Sequence, residues 1–139
     1  YCPTDNVAEL TARINDDGWD SFFINWFGGG GLHKNDAVLI LSVGGGNKEK
    51  NISSNLVRFL EVIEENREIT GNSCKVLGIV GREGGYTKKV ADVCVLIPNL
   101  YPLLVTPIVE SMQSVILHTI VFHPTLNVNP GKWESIDPK

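Results

Sequence analysis

Asn35-Asp36-Ala37-Val38-Leu39-Ile40-Leu41-Ser42-Val43-Gly44-Gly45-Gly46-Asn47 decides the fold of this chain. Residues 37–43 form a short, nearly continuous apolar run, which predicts a parallel strand covered on both faces. The three glycines break it. Ser53 or Ser54 then stands where a capping hydroxyl opens a helix to about Glu68, with Leu56, Val57, Leu60 and Ile63 on its inner face. The same order repeats downstream. Residues 75–80 read as a second apolar strand, Gly81-Arg82-Glu83-Gly84-Gly85 as a second glycine turn, residues 88–91 as a short helical piece and residues 93–97 as a third strand. Strands separated by helices predict an α/β fold, a three-layer αβα sandwich around a parallel sheet. Right-handed crossovers place the turns after Val43 and Val80 at one edge, the carboxyl ends of the strands, where open α/β sheets take ligands.

On the amino-terminal side, residues 4–15 read as a helix capped by Thr4 or Asp5, carrying Val7, Leu10 and Ile14. Asn15-Asp16-Asp17-Gly18 is a turn cluster. A second helix over residues 19–27 carries Trp19, Phe22, Phe23, Trp26 and Phe27, too wide an apolar load for one stripe. It is expected to be buried on several sides or packed on another subunit. Thr106-Pro107 opens the last helix, with a cap residue followed by a proline whose missing N–H costs nothing there. That helix runs to about Phe122 and stops before His123-Pro124. The chain divides into a partial domain, residues 1–126, and a polar tail, residues 127–139.

The chain has 139 residues and a net charge of −4, which suits one domain and argues against a nucleic-acid surface. The longest apolar runs, such as residues 37–41, read as far too short to span a bilayer, and no signal sequence opens the chain. No membrane partner is expected. Cys2, Cys74 and Cys94 are an odd, scattered set with no C-x-x-C pair, and Cys74 and Cys94 read as buried free thiols. Both points favour a reducing, cytoplasmic setting.

Two regions carry candidate chemistry. In the first turn, glycines let backbone amides approach an anion, and the helix beyond adds its partial positive charge. Ser42, Asn47, Ser53 and Ser54 supply further donors. The turn is either a phosphate cradle or a plain tight turn. It is neither a dinucleotide fingerprint, because Glu49 stands where the third glycine belongs, nor a nucleotide P-loop, because Asn47 follows Gly46. In the last helix, Glu110, Ser114 and His118 share one face at spacings of four. Glu110 and His118 can serve as ligands of zinc or as acid and base. The alternative is a histidine bonded to backbone and a glutamate near a helix amino terminus. Arg82-Glu83-Gly84-Gly85 is a second anion-contacting turn or an ordinary connection. His33 and His123 read as surface residues.

Taken in order, these segments resemble the sugar isomerase (SIS) family, of the phosphoheptose isomerase kind. Asn15-Asp16-Asp17-Gly18-Trp19 is similar to that family's Asn-Asp-aromatic-Gly-aromatic stretch. Residues 35–40 resemble its strand, residues 42–47 take the place of its phosphate loop, and Gly78-Ile79-Val80-Gly81-Arg82-Glu83-Gly84-Gly85 resembles its second glycine segment. Ala91-Asp92 and Ile97-Pro98 follow as in the family. Glu110 and His118 match the spacing of a Gln and a His on its last helix.

The resemblance implies a flavodoxin-like SIS fold and an aldose–ketose isomerisation of sedoheptulose 7-phosphate through an enediol. His118 and Glu110 would be catalytic or metal-binding, with zinc as the implied cation. Ser42, Gly44, Gly45, Gly46, Asn47, Ser53 and Ser54 would hold the phosphate of the sugar, with Asp16 nearby. A homo-oligomer, dimer or tetramer, with sites built between subunits is also implied. Three departures stand out. The phosphate loop has lost most hydroxyls and carries an insertion at residues 48–50, Glu110 replaces Gln, and the chain begins after the place of the family's first strand and its catalytic helix. The alternative to an isomerase is a phosphosugar-binding or protein-interaction module without catalysis.

Overall fold

The computed structural model describes residues 1–28, 33, 35–71 and 74–128. Most of the tail assigned to residues 127–139 lies outside them. The strands are β1 (Ala37–Ser42), β2 (Lys75–Val80) and β3 (Val93–Leu96), all parallel and in the order β1-β2-β3. The helices are α1 (Val7–Asp17), α2 (Phe22–Gly28), α3 (Ser54–Thr70), α4 (Gly85–Val90) and α5 (Val105–Val121). Single 3-10 turns, Trp19–Ser21 and Pro102–Leu104, precede α2 and α5.

Period-two alternation sorts the strands into two faces. Val38, Ile40, Val76 and Gly78 point to one side, where Phe59, Leu60 and Ile63 of α3 and Val90 of α4 complete the main core. Phe23, Ile24 and Phe27 close over it, and Phe27 stacks on Phe59 with ring centroids 4.6 Å apart. The aromatic helix is therefore absorbed within the chain, although Trp19 stays 51% exposed. On the other side Ile79 meets Val105 and Val109 of α5. Helices on both faces of a parallel sheet make the α/β sandwich that the sequence predicts.

The coverage is uneven. Leu39 is 41% and Leu41 45% exposed, because α5 packs over β2 and leaves the outer face of β1 open. The expectation of a strand covered on both faces fails here for that reason. Among the described residues β1 is also an edge strand.

Caps differ from the reading too. Asn6, not Thr4 or Asp5, caps α1 by accepting from the Glu9 amide at 3.3 Å. Ser53 occupies the position before α3 in a left-handed conformation (φ 52°) and makes no side-chain cap bond, while Ser54 directs its hydroxyl to Asp20. The last helix starts one residue before Thr106, out of the 3-10 turn begun by Pro102.

At the amino end of the sheet, Asp92 ties three segments together. Its carboxylate accepts from the Val76 amide at 2.7 Å and pairs with Arg67 at 2.5 Å and Lys75 at 3.1 Å. The Val76 hydrogen bond, then the two cations, hold its pKa down to about 2. Cys74 is buried, and burial pushes its thiol up; Cys94 is partly buried with the same shift, and Cys2 is exposed.

Candidate functional site

The two glycine turns interlock at the carboxyl end of the sheet. Gly45 (φ 70°) and Gly46 (φ 79°) are left-handed, a conformation glycine adopts without strain. Their carbonyls are taken by the second turn: Tyr86 N donates to Gly46 O at 2.9 Å, and both the amide and the hydroxyl of buried Thr87 donate to Gly45 O, at 2.8 and 2.9 Å. A Cβ on Gly45 would lie 1.9 Å from the Gly84 carbonyl oxygen. Gly45 and Gly46 are thus buried against neighbouring backbone, and they permit that contact before they serve any ligand. The Tyr86 hydroxyl donates to Glu64 at 2.7 Å, which pushes its pKa up to about 12.

Part of the turn stays available. The Gly45 amide is bound by Ser42 Oγ at 3.0 Å, whereas the amides of Gly44 and Gly46 find no acceptor among the described residues. Asn47 is engaged locally: its backbone pairs both ways with Ile52, and its side chain accepts from Lys50 N at 2.7 Å. Residues 48–50, where the insertion was expected, lie in the tip of this small hairpin.

Ser42 and Ser53 meet on a groove of about 1010 Å³ that runs along the edge of β1, walled by Phe23, Trp26 and Phe59. Asn55 joins them. It is only 6% exposed, its Oδ1 accepts from Leu56 N at 2.8 Å, and its amide nitrogen has no partner among the described residues. The first amides of α3, those of Ser54 and Asn55, also lack acceptors there. Hydroxyls, an amide group and a helix amino terminus therefore share the upper end of one groove, an arrangement suited to an anion. Asn55 was missed in the sequence; its spacing in Ser53-Ser54-Asn55, at a helix start after a glycine turn, is the signal that identifies it. Asp20 was missed as well, and it, rather than Asp16, reaches α3 by accepting from Ser54. Asp16 is exposed on α1 and accepts from Asn15 at 3.1 Å.

Glu110, Ser114 and His118 all lie on the exposed side of α5. Val105, Val109 and Gln113 face the sheet instead, Gln113 donating to Ile79 O at 2.8 Å. Embedding a carboxylate and an imidazole in apolar surroundings is therefore not needed, and neither residue lines the groove. No group of three His, Cys, Asp or Glu side chains suited to a metal ion occurs among the described residues. Within one chain, Glu110 and His118 alone do not fit a zinc site. The helical stretch Pro102–Val121 is long and apolar enough, by length and composition, to cross a membrane, which corrects the reading that every apolar segment is too short. His33 and His123 are exposed, and His123 Nδ1 accepts from Thr125 N at 3.2 Å.

A parallel sheet flanked by helices, with two interlocked glycine turns and a serine- and asparagine-lined helix start at its carboxyl edge, makes this an α/β chain with a candidate anion site. No protein-family profile matches it. It is similar to the phosphoheptose isomerase of Helicobacter pylori, at 25% identity over 115 residues, 83% of this chain and 51% of that protein. It is also similar to the lincomycin biosynthesis protein LmbN of Streptomyces lincolnensis, at 25% identity over 123 residues, 86% of this chain and 41% of that protein. The solved phosphoheptose isomerase of Neisseria gonorrhoeae has the same fold over 86% of this chain and 58% of its own, with a TM-score of 0.63 and 22% identity. The chain is phosphoheptose isomerase-like, and it spans about half the length of the curated relatives it matches.

Proposed function

We propose that this chain forms the phosphate-holding part of an aldose–ketose isomerase that acts on a sugar phosphate, sedoheptulose 7-phosphate in the first instance. The observation that carries the reading is the groove at the start of α3, where Ser42, Ser53 and Asn55 converge beside amides without acceptors. The phosphate would lie against the Ser42 hydroxyl, the free amides of the first turn and the amino terminus of α3. Phe23, Trp26 and Phe59 would shield the sugar from bulk water along the groove. His118 would move a proton next to the carbonyl and Glu110 would orient or assist it. Both stand on an outward face, so the reading includes a homo-oligomer, dimer or tetramer, in which α5 completes a site outside its own groove. The exposed apolar residues Leu103, Met112, Val115 and Val121 on and beside α5 support that packing, in a cytoplasmic protein. A divalent cation, zinc by the resemblance, belongs to this reading only if further donors come from outside the chain, and no step is assigned to it.

The second reading is a phosphosugar-binding or protein-interaction module without catalysis. The separation of Glu110 and His118 from the groove favours it. One experiment decides between them. The protein is assayed on sedoheptulose 7-phosphate with and without chelator, beside His118→Ala, and sugar-phosphate binding is measured in parallel. Turnover that His118→Ala abolishes supports the isomerase. Binding without turnover in every condition supports the module, and absence of both rejects the phosphosugar altogether.

A further inference from the structure

We infer that Arg82 is an anion-binding residue of the phosphosugar site, supplying from the second glycine turn the positive charge that the first turn lacks. The inference rests on the phosphosugar reading above and adds a residue and a charge requirement to it. The first turn, residues 42–47, contains no cation and one hydroxyl, that of Ser42, which already binds the Gly45 amide. Two of its amides, Gly44 and Gly46, remain without acceptors among the described residues. Neutral donors and a helix terminus offset only part of a phosphate dianion.

Arg82, on the second glycine turn, brings a formal positive charge up to the first turn. Its Cδ lies 3.9 Å from the point where a Cβ on Gly44 would sit, so the side chain folds back over Gly44. Its guanidinium makes no hydrogen bond or ion pair among the described residues. Lys48, on the hairpin beyond the turn, is already paired with Glu61 at 2.6 Å. Arg82 is also one of three described non-glycine residues with positive φ, at 53°. The left-handed region is sterically unfavourable for any residue with a Cβ. The close approach of Gly81 to Val43 O and Val109 fixes the backbone at this point, and the stem of the Arg82 side chain lies beside Gly44. A planar fork of donors there matches the oxygens of a phosphate.

The test is titration calorimetry on the full protein with sedoheptulose 7-phosphate, unphosphorylated sedoheptulose and inorganic phosphate, at low and high salt. The variants are Arg82→Ala, Arg82→Lys and Arg82→Gly, the last removing the side chain while relaxing the backbone; urea midpoints check folding. Arg82→Ala and Arg82→Gly should each weaken phosphosugar binding about 10- to 100-fold. They should flatten its salt dependence, with partial recovery in Arg82→Lys and no change for the unphosphorylated sugar. Wild-type affinity and wild-type salt dependence in Arg82→Gly overturn the role of Arg82 while leaving the phosphosugar reading standing. A wild-type protein that binds no phosphorylated ligand overturns that reading, and this inference with it.

Discussion

Replacing Gly45 by alanine should disrupt the fold far more than replacing Gly44, its immediate neighbour. At Gly45 the new Cβ would lie 1.9 Å from the carbonyl oxygen and 2.6 Å from the carbonyl carbon of Gly84, and both belong to backbone. Relief requires separating the two turns, which weakens the bonds from Tyr86 and Thr87 to Gly46 O and Gly45 O. The left-handed φ of 70° adds a cost of about 1–2 kcal/mol for any L-residue. Overpacking adds roughly 1–3 kcal/mol, so the total is about 2–5 kcal/mol. At Gly44 the nearest atom is the flexible Arg82 Cδ, 3.9 Å away, and φ is ordinary. Alanine there should change stability by no more than about 0.5–1 kcal/mol, in either direction. Urea unfolding followed by circular dichroism separates the two, since about 3 kcal/mol moves the midpoint by one molar or more at the m-values of small domains. Equal midpoints for the two variants would refute the interlocked-turn account.

Asp92 has a folded pKa near 2, below its unfolded value, so its contribution is present above about pH 4 and fades as the pH falls toward 2. Because the residue is exposed, solvent screening reduces that contribution to about 1 kcal/mol, and the gap between wild type and Asp92→Asn in urea midpoint should narrow between pH 6 and roughly pH 2.5. Phe59→Ala removes a ring that is 3% exposed and stacked on Phe27, and should cost about 3–5 kcal/mol in the same assay. Val115→Glu places a charge on the exposed apolar side of α5, where the valine is 55% exposed; if α5 packs on another copy as proposed, sedimentation should show a shift toward monomer with little loss of helix by circular dichroism.

The strands were legible because continuous apolar runs bounded by glycine leave few alternatives. Residues 75–80 match β2 end to end, and residues 37–43 overrun β1 by only Val43. Helix α3 was legible from Val57, Leu60 and Ile63, which are all buried. The caps were not, because Thr4, Asp5 and Asn6 are all acceptable cap residues and only the backbone path selects Asn6. Coverage of β1 was not legible either. Hydrophobicity marks Leu39 and Leu41 as suited to burial, but nothing local states that α5 lies over β2 instead. The candidate groove was partly visible. Ser42 and Ser53 reach one groove, yet Gly45 and Gly46 serve the contact between turns. Asn55 was hidden because a buried amide on an amphipathic helix looks like a surface residue in a one-letter pattern.

The face of α5 that carries Glu110, Ser114 and His118 has a geometric consequence. Val105, Val109 and Gln113 form one row at spacings of four, and the polar row is offset from it by one residue, about 100° around the axis. With the first row seated on the sheet, the second row lies on the exposed side of α5 and none of it lines the same chain's groove. If His118 acts on a ligand held at Ser53 and Asn55, it acts on a ligand held by another copy. An activity that depends on both groups should therefore be recoverable by mixing. His118→Ala and Asn55→Ala should each be nearly inactive alone. Co-refolded, they should regain measurable turnover, since some mixed sites pair an intact groove with an intact α5. Turnover that stays at the level of the single variants, in mixtures shown by mass to contain both chains, would place the two groups in one chain's site and contradict the row geometry.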